Sequence, residues 1–138
     1  MEFKTMRILR EFNNPSLDFR VRAIVFAISG YTQHVFNKPT ILTEIWRSDS
    51  EQDKIYGKNS GKPNIHKWWR AIDLRTMHLT LDEINDLILF LNHFIYTQRD
   101  GKKFPTVLYH EVKDSEGKLL GYHFHIQVDP DGITEIIK

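Results

Sequence analysis

Four residues in two separate stretches of the sequence have side chains suited to binding a metal ion. His66 and Asp73 lie seven residues apart in an apolar and aromatic segment, and His123 and His125 alternate with aromatic and aliphatic residues further along. A buried carboxylate is costly unless it is paired, hydrogen-bonded or bound to a metal, so Asp73 needs a partner. Because alternate residues of a strand share a face, we expect His123 and His125 on one side of a strand.

The spacing of His66 and Asp73 fits either a metal site or a metal-free hydrogen bond between the two side chains. A gap of seven residues would align them on a helix, but Gly61 and Pro63 just upstream favour a loop that runs into a strand. The two side chains then converge only if His66 lies on the loop and curls back over the strand that carries Asp73. Two imidazole nitrogens, one carboxylate oxygen and a water commonly bind catalytic zinc. A buried His66–Asp73 hydrogen bond without metal is the alternative.

Composition narrows the classes of function. The chain has 138 residues, of which 41% are hydrophobic, and this fits one compact domain over residues 1–138. Its 19 basic and 18 acidic residues nearly cancel, so we expect neither nucleic acid nor an anionic membrane as a partner. Cysteine is absent, which excludes disulfides and thiolate metal sites. Any metal would therefore be held by His, Asp or Glu.

The sequence has no segment that predicts export or membrane insertion. Residues 1–12 are charged and lack the apolar core of a secretory signal, and no apolar run approaches the length of a membrane span. We therefore expect a soluble chain made in the cytoplasm.

Hydrophobic periodicity and capping residues predict the elements that position these side chains. The order is helix, strand, short helix, strand, helix and hairpin, which indicates an α+β fold of helices packed on a small, mainly antiparallel sheet. The predicted elements are a helix over 17–36 capped by Ser16, a strand over 40–46, a short helix from Asp49 or Ser50 to Tyr56, a strand over 70–75, a helix over 81–97 that begins at a Thr80–Glu83 capping box, and strands over 106–112 and 119–128 around a turn at 114–117.

These residues, in this order, carry a resemblance to the zinc D-alanyl-D-alanine peptidase superfamily. That family includes VanX-type dipeptidases, phage L-alanyl-D-glutamate endolysins and the hedgehog zinc fold. Its motif is Ser-x-His-x-x-Gly-x-Ala-x-Asp, followed much later by a histidine in a strand. The residues at the corresponding positions here are Asn64, His66, Trp69, Ala71, Asp73 and then His125.

An upstream segment extends the resemblance to about residues 17–128. The stretch TEIWRSDSEQDKIYG resembles the family's strand-to-helix segment, whose arginine, serine and glutamine match Arg47, Ser48 and Gln52. The resemblance implies that His66, Asp73 and His125 bind zinc, and that His123 lies in the site and steadies the oxyanion. It also implies that Arg47, Ser48 and Gln52 bind substrate.

The activity implied by the resemblance is that of a zinc metallopeptidase. Such an enzyme cleaves a peptide bond next to a D-amino acid, as a carboxypeptidase or an endopeptidase, and peptidoglycan stem peptides are the expected partners. We expect a monomer. Without a secretory signal, the chain would be a cytoplasmic recycling enzyme or a phage-type lysin that reaches the cell wall through a separate pore.

Three departures from the family pattern bear on catalysis. Asn64 and Trp69 replace the motif serine and glycine, and Tyr122 stands where many members have a general-base carboxylate. A three-residue hairpin loop would place Glu111 opposite Gly121 and on the face of the site histidines, which makes Glu111 the candidate base.

Two alternatives to an active enzyme follow from these departures. A register slip of one residue would turn Glu111 away from the site histidines. A zinc-stabilised binding module of the same fold without catalysis is therefore the main alternative, as hedgehog domains illustrate. The other is a metal-free module whose polar residues satisfy one another.

Overall fold

The structure is a computed structural model that describes residues 1–58, 64–97, 103–113, 116–128 and 133–136. Most of the predicted loop at 57–63 and half of the predicted turn at 114–117 lie outside these residues. Within them the fold is α+β, as predicted. The helices are α1 (Met6–Phe12), α2 (Phe19–Tyr31), a π-helical turn (Thr32–Phe36), α3 (Asp49–Tyr56), a 3₁₀ helix (Ile65–Trp68) and α4 (Leu81–Leu91).

The described strands form two sheets. The larger sheet has the order β1-β2-β3-β7-β6, in which β1 pairs with β2 in parallel and the other pairs are antiparallel. The smaller sheet has the order β5-β4-β8. The strands are β1 (Glu2–Phe3), β2 (Ile41–Glu44), β3 (Ala71–Arg75), β4 (Phe94–Thr97), β5 (Lys103–Pro105), β6 (Val107–Lys113), β7 (Leu119–Gln127) and β8 (Ile133–Ile136).

The hydrophobic core lies on one face of the larger sheet. Leu42, Leu74 and Phe124 are register partners on β2, β3 and β7, and each is almost fully buried. Buried residues of α1, α2 and α4 belong to the same cluster. Because strand side chains alternate between faces, the residues on either side of Leu74 and Phe124 point to the opposite face, which carries the polar site. None of the helices in the described ranges has the length and apolar character needed to cross a bilayer.

Helix α2 begins later than predicted. Asp18, and not Ser16, is its N-cap, since the Asp18 carboxylate accepts a hydrogen bond from the Arg20 backbone N–H. The regular helix ends at Tyr31 and continues as the π-helical turn. Asn37 then adopts a left-handed conformation with φ of 52° and ends the segment.

The start of α4 confirms the predicted capping box, but the predicted end is wrong. The Thr80 hydroxyl accepts from the Glu83 N–H, and the Glu83 carboxylate accepts from the Thr80 N–H. The helix stops at Leu91, and Phe94–Thr97 forms β4, paired with β5 and β8. The segment Phe-Ile-Tyr-Thr fits helical spacing, yet aromatic and β-branched residues also favour strands, and the strand partners lie further along the chain.

Candidate metal centre

Strand pairing brings three of the predicted site residues onto one face of the larger sheet. Asp73 of β3 is the register partner of His125 of β7, and Arg75 of β3 is the partner of His123. Directly opposed residues share a face, and so do residues two apart in a strand. The prediction that His123 and His125 share a face is therefore confirmed, and Asp73 shares that face with them.

His66 reaches the same place from outside the sheet. It lies in the 3₁₀ helix Ile65–Trp68 just before β3, where the Asn64 side chain accepts a hydrogen bond from the Lys67 N–H. His66 is only 3% exposed, and its Nε2 lies 3.3 Å from Asp73 Oδ1. The prediction that His66 curls back over the strand of Asp73 is thus confirmed.

The other ring nitrogen of His66 has a fixed role. Nδ1 lies 2.9 Å from the carbonyl oxygen of Ile45, which can only accept, so Nδ1–H is the donor and Nε2 is the nitrogen that faces Asp73. Metal-binding histidines commonly donate their second N–H to a carbonyl in this way, which fixes the tautomer and the orientation of the ring. His66 is therefore prepared to offer Nε2 to a cation.

Trp69 ends this 3₁₀ helix in an uncommon backbone conformation. Its φ is 59° and its ψ is 34°, in the left-handed region that glycine adopts most easily. The sequence resemblance aligns Trp69 with a glycine, and the backbone of Trp69 adopts a conformation that glycine favours. The Trp69 N–H donates to the His66 carbonyl, and the Trp69 carbonyl accepts from the Asp18 N–H. These bonds hold the turn that presents His66 to Asp73.

His125 is held between two side chains. Its Nδ1 lies 2.8 Å from Asp73 Oδ1, and its Nε2 lies 2.8 Å from Gln127 Oε1. Both partners are oxygens that accept, so this arrangement favours a ring that is protonated on both nitrogens. Burial lowers the pKa of His125, but the hydrogen bond to Asp73 and its negative charge outweigh burial and raise that pKa above its usual value.

Asp73 is the centre of the cluster. Burial alone would raise the pKa of this carboxyl, but the charge of His66 and the hydrogen bonds from His125 and His66 hold that pKa well below its usual range. The imidazole of His123 also faces Asp73 Oδ1, with its Nε2 at 3.6 Å. Asp73 is therefore an ionised carboxylate in a buried position, and it has the partners that its apolar sequence surroundings required.

His66, Asp73 and His125 together could hold a metal ion. One ligand atom from each lies within 4.8 Å of the other two. The donor set of two imidazole nitrogens and a carboxylate oxygen suits zinc and related transition metals. Because Gln127 accepts from Nε2–H of His125, the atom offered to a cation is Nδ1, and a bound cation would displace the proton there.

Gln127 is a site residue that the sequence prediction missed. It lies two residues after His125 and so falls on the same face of β7, which means that the alternation in the sequence already contained the signal. The carbonyl of Ile45 was also missed. A backbone acceptor in the bend that follows β2 leaves no trace in residue types.

Two of the three residues predicted to bind substrate line the cavity beside the metal cluster, and the third does not. Arg47 is buried, and its Nη2 lies 3.5 Å from Asp73 Oδ2 while its Nη1 donates to Gln52 Oε1 at 2.7 Å. Arg47 and Gln52 both line the cavity beside the metal cluster. Ser48 is instead the N-cap of α3, where its hydroxyl accepts from the Glu51 N–H, and it is not among the described residues that line the cavity.

The hairpin register differs by one residue from the predicted register. Glu111 opposes Tyr122, and not Gly121. The ladder shifts at an irregularity between Val112 and Lys113, which the assumption of a regular three-residue loop did not contain. A slip of one residue exchanges the two faces of a strand, so alternation places Glu111 with Tyr122 and away from the metal cluster. That part of the prediction is wrong.

Glu111 is nonetheless among the residues that line the same cavity as the metal cluster. This cavity has a volume of about 260 Å³, and its lining includes His123 as well as the three ligand residues. Glu111 lies on β6 at the edge of the larger sheet. Its Oε1 accepts a hydrogen bond of 3.1 Å from the Tyr122 hydroxyl, and its Oε2 lies 3.4 Å from Lys113 Nζ. An acidic residue is thus part of this cavity, although its strand register is not the predicted one.

Comparisons with protein-family models, with curated proteins and with solved structures gave no match to this chain. The functional argument below therefore depends on the residues of the chain and on their geometry.

Proposed function

We propose that the protein is a zinc metallopeptidase that cleaves peptide bonds next to D-amino acids, with peptidoglycan stem peptides as its substrates. One observation carries the proposal. His66 Nε2, His125 Nδ1 and an Asp73 oxygen converge at the wall of a cavity, and the second histidine of the His-x-His pair lies beside them. A fold of the hedgehog and D-Ala-D-Ala peptidase type is part of the same proposal.

The donor set and its surroundings support zinc as the metal. Two nitrogens and one oxygen leave room for a further ligand, as in catalytic zinc sites. When bound there, zinc supplies Lewis-acid chemistry, because it polarises a carbonyl oxygen and makes a water molecule more acidic. The remaining chemistry must come from side chains of this chain.

Glu111 is the residue that we assign to proton transfer. It lines the cavity of the metal cluster, and a carboxylate is suited to accept a proton from the attacking water and to pass it to the leaving amine. In the structure its Oε1 accepts from Tyr122, so catalysis requires Glu111 to rotate or to work through its other oxygen.

His123 is assigned to the oxyanion. Its ring faces the cluster at a distance longer than that of His125, with Nε2 at 3.6 Å from Asp73 Oδ1 against 2.8 Å for His125 Nδ1. A donor that lies near the metal and does not bind it can stabilise the negative charge that develops on a carbonyl oxygen.

Arg47 is assigned mainly to positioning Asp73, and only in second place to binding substrate. Its guanidinium lies against Asp73 and also 3.6 Å from Glu44 Oε2 through Nε. The positive charge of a buried arginine with two acidic neighbours is largely offset by them, so it attracts an external anion only weakly. We therefore assign Arg47 mainly to fixing the carboxylate of Asp73, together with Gln52.

The proposal is tested by incubating the purified protein with peptidoglycan, with zinc or with a chelator, and analysing released peptides by mass spectrometry. We expect zinc-dependent release of fragments cut beside a D-amino acid, and loss of release in His66→Ala. The matched control is His93→Ala, an exposed histidine after α4 that does not line the cavity. Zinc bound at one equivalent without any cleavage would contradict the enzymatic part of the proposal.

A binding module without catalysis is the second candidate, and the contacts of Glu111 favour it. Both oxygens of that carboxylate already have neighbours, Tyr122 and Lys113, and Tyr122 occupies the position where related enzymes have an acid. If these contacts persist in solution, the protein would bind zinc and a peptide and would not turn it over. The same incubation separates the two candidates, because the module retains peptide without releasing fragments.

A further inference from the structure

A second hollow adjoins the metal cavity along the larger sheet. It has a volume of about 240 Å³, and Lys4, Thr43, Arg75 and Met77 are among its lining residues. His123 lines both this hollow and the metal cavity, so the two meet at that ring. We call the second hollow the basic hollow, after Lys4 and Arg75.

The two cations of the basic hollow have no acidic partner in the described part of the chain. Neither Lys4 nor Arg75 forms an ion pair there, and no Asp or Glu of the described residues lines the hollow. Arg47 is the opposite case, since it is buried and faces both Asp73 and Glu44. Positive charge that can receive an external anion therefore lies at Lys4 and Arg75.

The position of Arg75 sets the distance between the hollow and the metal cluster. Arg75 follows Asp73 by two residues on β3, and it opposes His123 as Asp73 opposes His125. Two residues of strand span about 7 Å. An extended peptide also advances by roughly 7 Å over two residues. A peptide lying along this face with one bond at the cluster would thus place a group one or two residues away over the basic hollow.

We propose that Arg75 and Lys4 form a subsite that binds a carboxylate of the peptide substrate, one or two residues from the bond presented to the metal cluster. The inference rests on the proposed function only in taking the ligand to be a peptide. Arginine suits this role because its planar guanidinium can bind a carboxylate through two hydrogen bonds, and Lys4 adds an exposed charge at the rim. The carboxylate can be a side chain or the C-terminus, and both have the same chemistry.

The test measures peptide binding by NMR titration of the full chain, with zinc and in parallel with a chelator. The probe is L-alanyl-D-glutamyl-L-alanine. Its affinity is taken from the titration with chelator, where the proposed hydrolysis cannot occur, and mass analysis records whether the probe is cut in the titration with zinc. Two analogues replace one carboxylate each by a carboxamide, at the side chain or at the C-terminus. We expect one of the two analogues to bind about 10-fold to 100-fold more weakly than the probe, and this analogue identifies which carboxylate is bound.

Variants then connect that loss to the basic hollow. Arg75→Gln should weaken binding of the probe by about 10-fold to 100-fold and should make the acid and its amide bind alike. Lys4→Gln should have a smaller effect in the same direction. Arg10→Gln is the matched control, because Arg10 is an exposed arginine of α1 that lines neither hollow. Circular dichroism checks that each variant is folded.

Three outcomes would overturn the subsite. They are equal binding of the probe and both amides, an Arg75→Gln variant that binds like Arg10→Gln, and no binding of the probe by the wild type. Failure of the proposed function is seen separately, as absence of bound zinc or of cleavage. Charge-dependent binding in the presence of chelator would support the subsite even then.

Discussion

The substitution Asp73→Asn separates a metal ligand from a buried hydrogen-bond partner. Asparagine has nearly the shape of aspartate, so packing changes little, but it removes the charge on which His66, His125 and Arg47 converge. In the metal-free protein this change leaves buried cations without their counter-charge, which costs about 3–5 kcal/mol when none of them can adapt. His125 can adapt by losing a proton, so we expect a smaller cost than that.

The zinc-dependent part of stability gives the sharper measurement. With free zinc at about 1,000 times its dissociation constant, binding to the native state stabilises it by about 4 kcal/mol. If asparagine weakens zinc binding by about 100-fold, the same zinc concentration is only about 10 times the dissociation constant, and the stabilisation falls to about 1.4 kcal/mol. At roughly 3–5 °C per kcal/mol for a chain of this size, the zinc-induced rise in Tm falls from about 12–20 °C to about 4–7 °C.

The assay is thermal unfolding followed by circular dichroism, with buffered free zinc and with a chelator. The quantity compared is the rise in Tm caused by zinc in each protein, so any cost of the substitution to the metal-free fold cancels. Asp49→Asn is the matched control, because Asp49 forms an exposed ion pair with Lys67 and is not part of the cluster. An Asp73→Asn protein with the full wild-type rise would refute Asp73 as a ligand, and a wild type without any rise would refute the site.

Four further predictions concern the base, the oxyanion residue, the pH dependence and the turn at Trp69. Glu111→Gln should keep zinc and lose about 10²–10⁴-fold in turnover. His123→Ala should also lower turnover without releasing zinc. Steady-state kinetics and metal analysis of each variant check both predictions. Zinc affinity should weaken as pH falls through the raised pKa of His125, because a proton on Nδ1 competes with the metal. The affinity is measured by competition with a chelator of known affinity. An affinity that does not change over about two pH units around the usual histidine pKa would contradict this prediction. Trp69→Gly should be more stable than Trp69→Ala by about 1 kcal/mol in urea unfolding, the reverse of the usual order, because only glycine adopts the left-handed conformation without strain.

Local sequence signals predicted the elements that carry the metal cluster. Turn residues and alternation are properties of neighbouring residues. They predict the strand of Asp73, the strand of His123 and His125, and the loop position of His66. The capping box at Thr80 is local in the same sense. These are the features for which the identity of a few adjacent side chains decides the conformation.

The features that were mispredicted depend on contacts between distant parts of the chain. Phe94–Thr97 became a strand because β5 and β8 pair with it, and nothing within the segment distinguishes that outcome from a longer helix. The place of Glu111 depended on an irregularity in the ladder near Lys113. Register changes every side chain of a strand at once, so one unseen bulge was enough to move the candidate base to the other face.

Trp69 holds a backbone conformation that glycine adopts most easily. Glycine reaches positive φ at little cost, whereas a bulky residue there costs of order 1–3 kcal/mol. Contacts that glycine lacks offset this cost at Trp69. Its ring packs against the core cluster, and its ring centroid lies 6.2 Å from that of Trp46. Side-chain packing therefore maintains the turn that presents His66, together with the backbone hydrogen bonds of Trp69, and the metal cluster depends on the hydrophobic core beneath it.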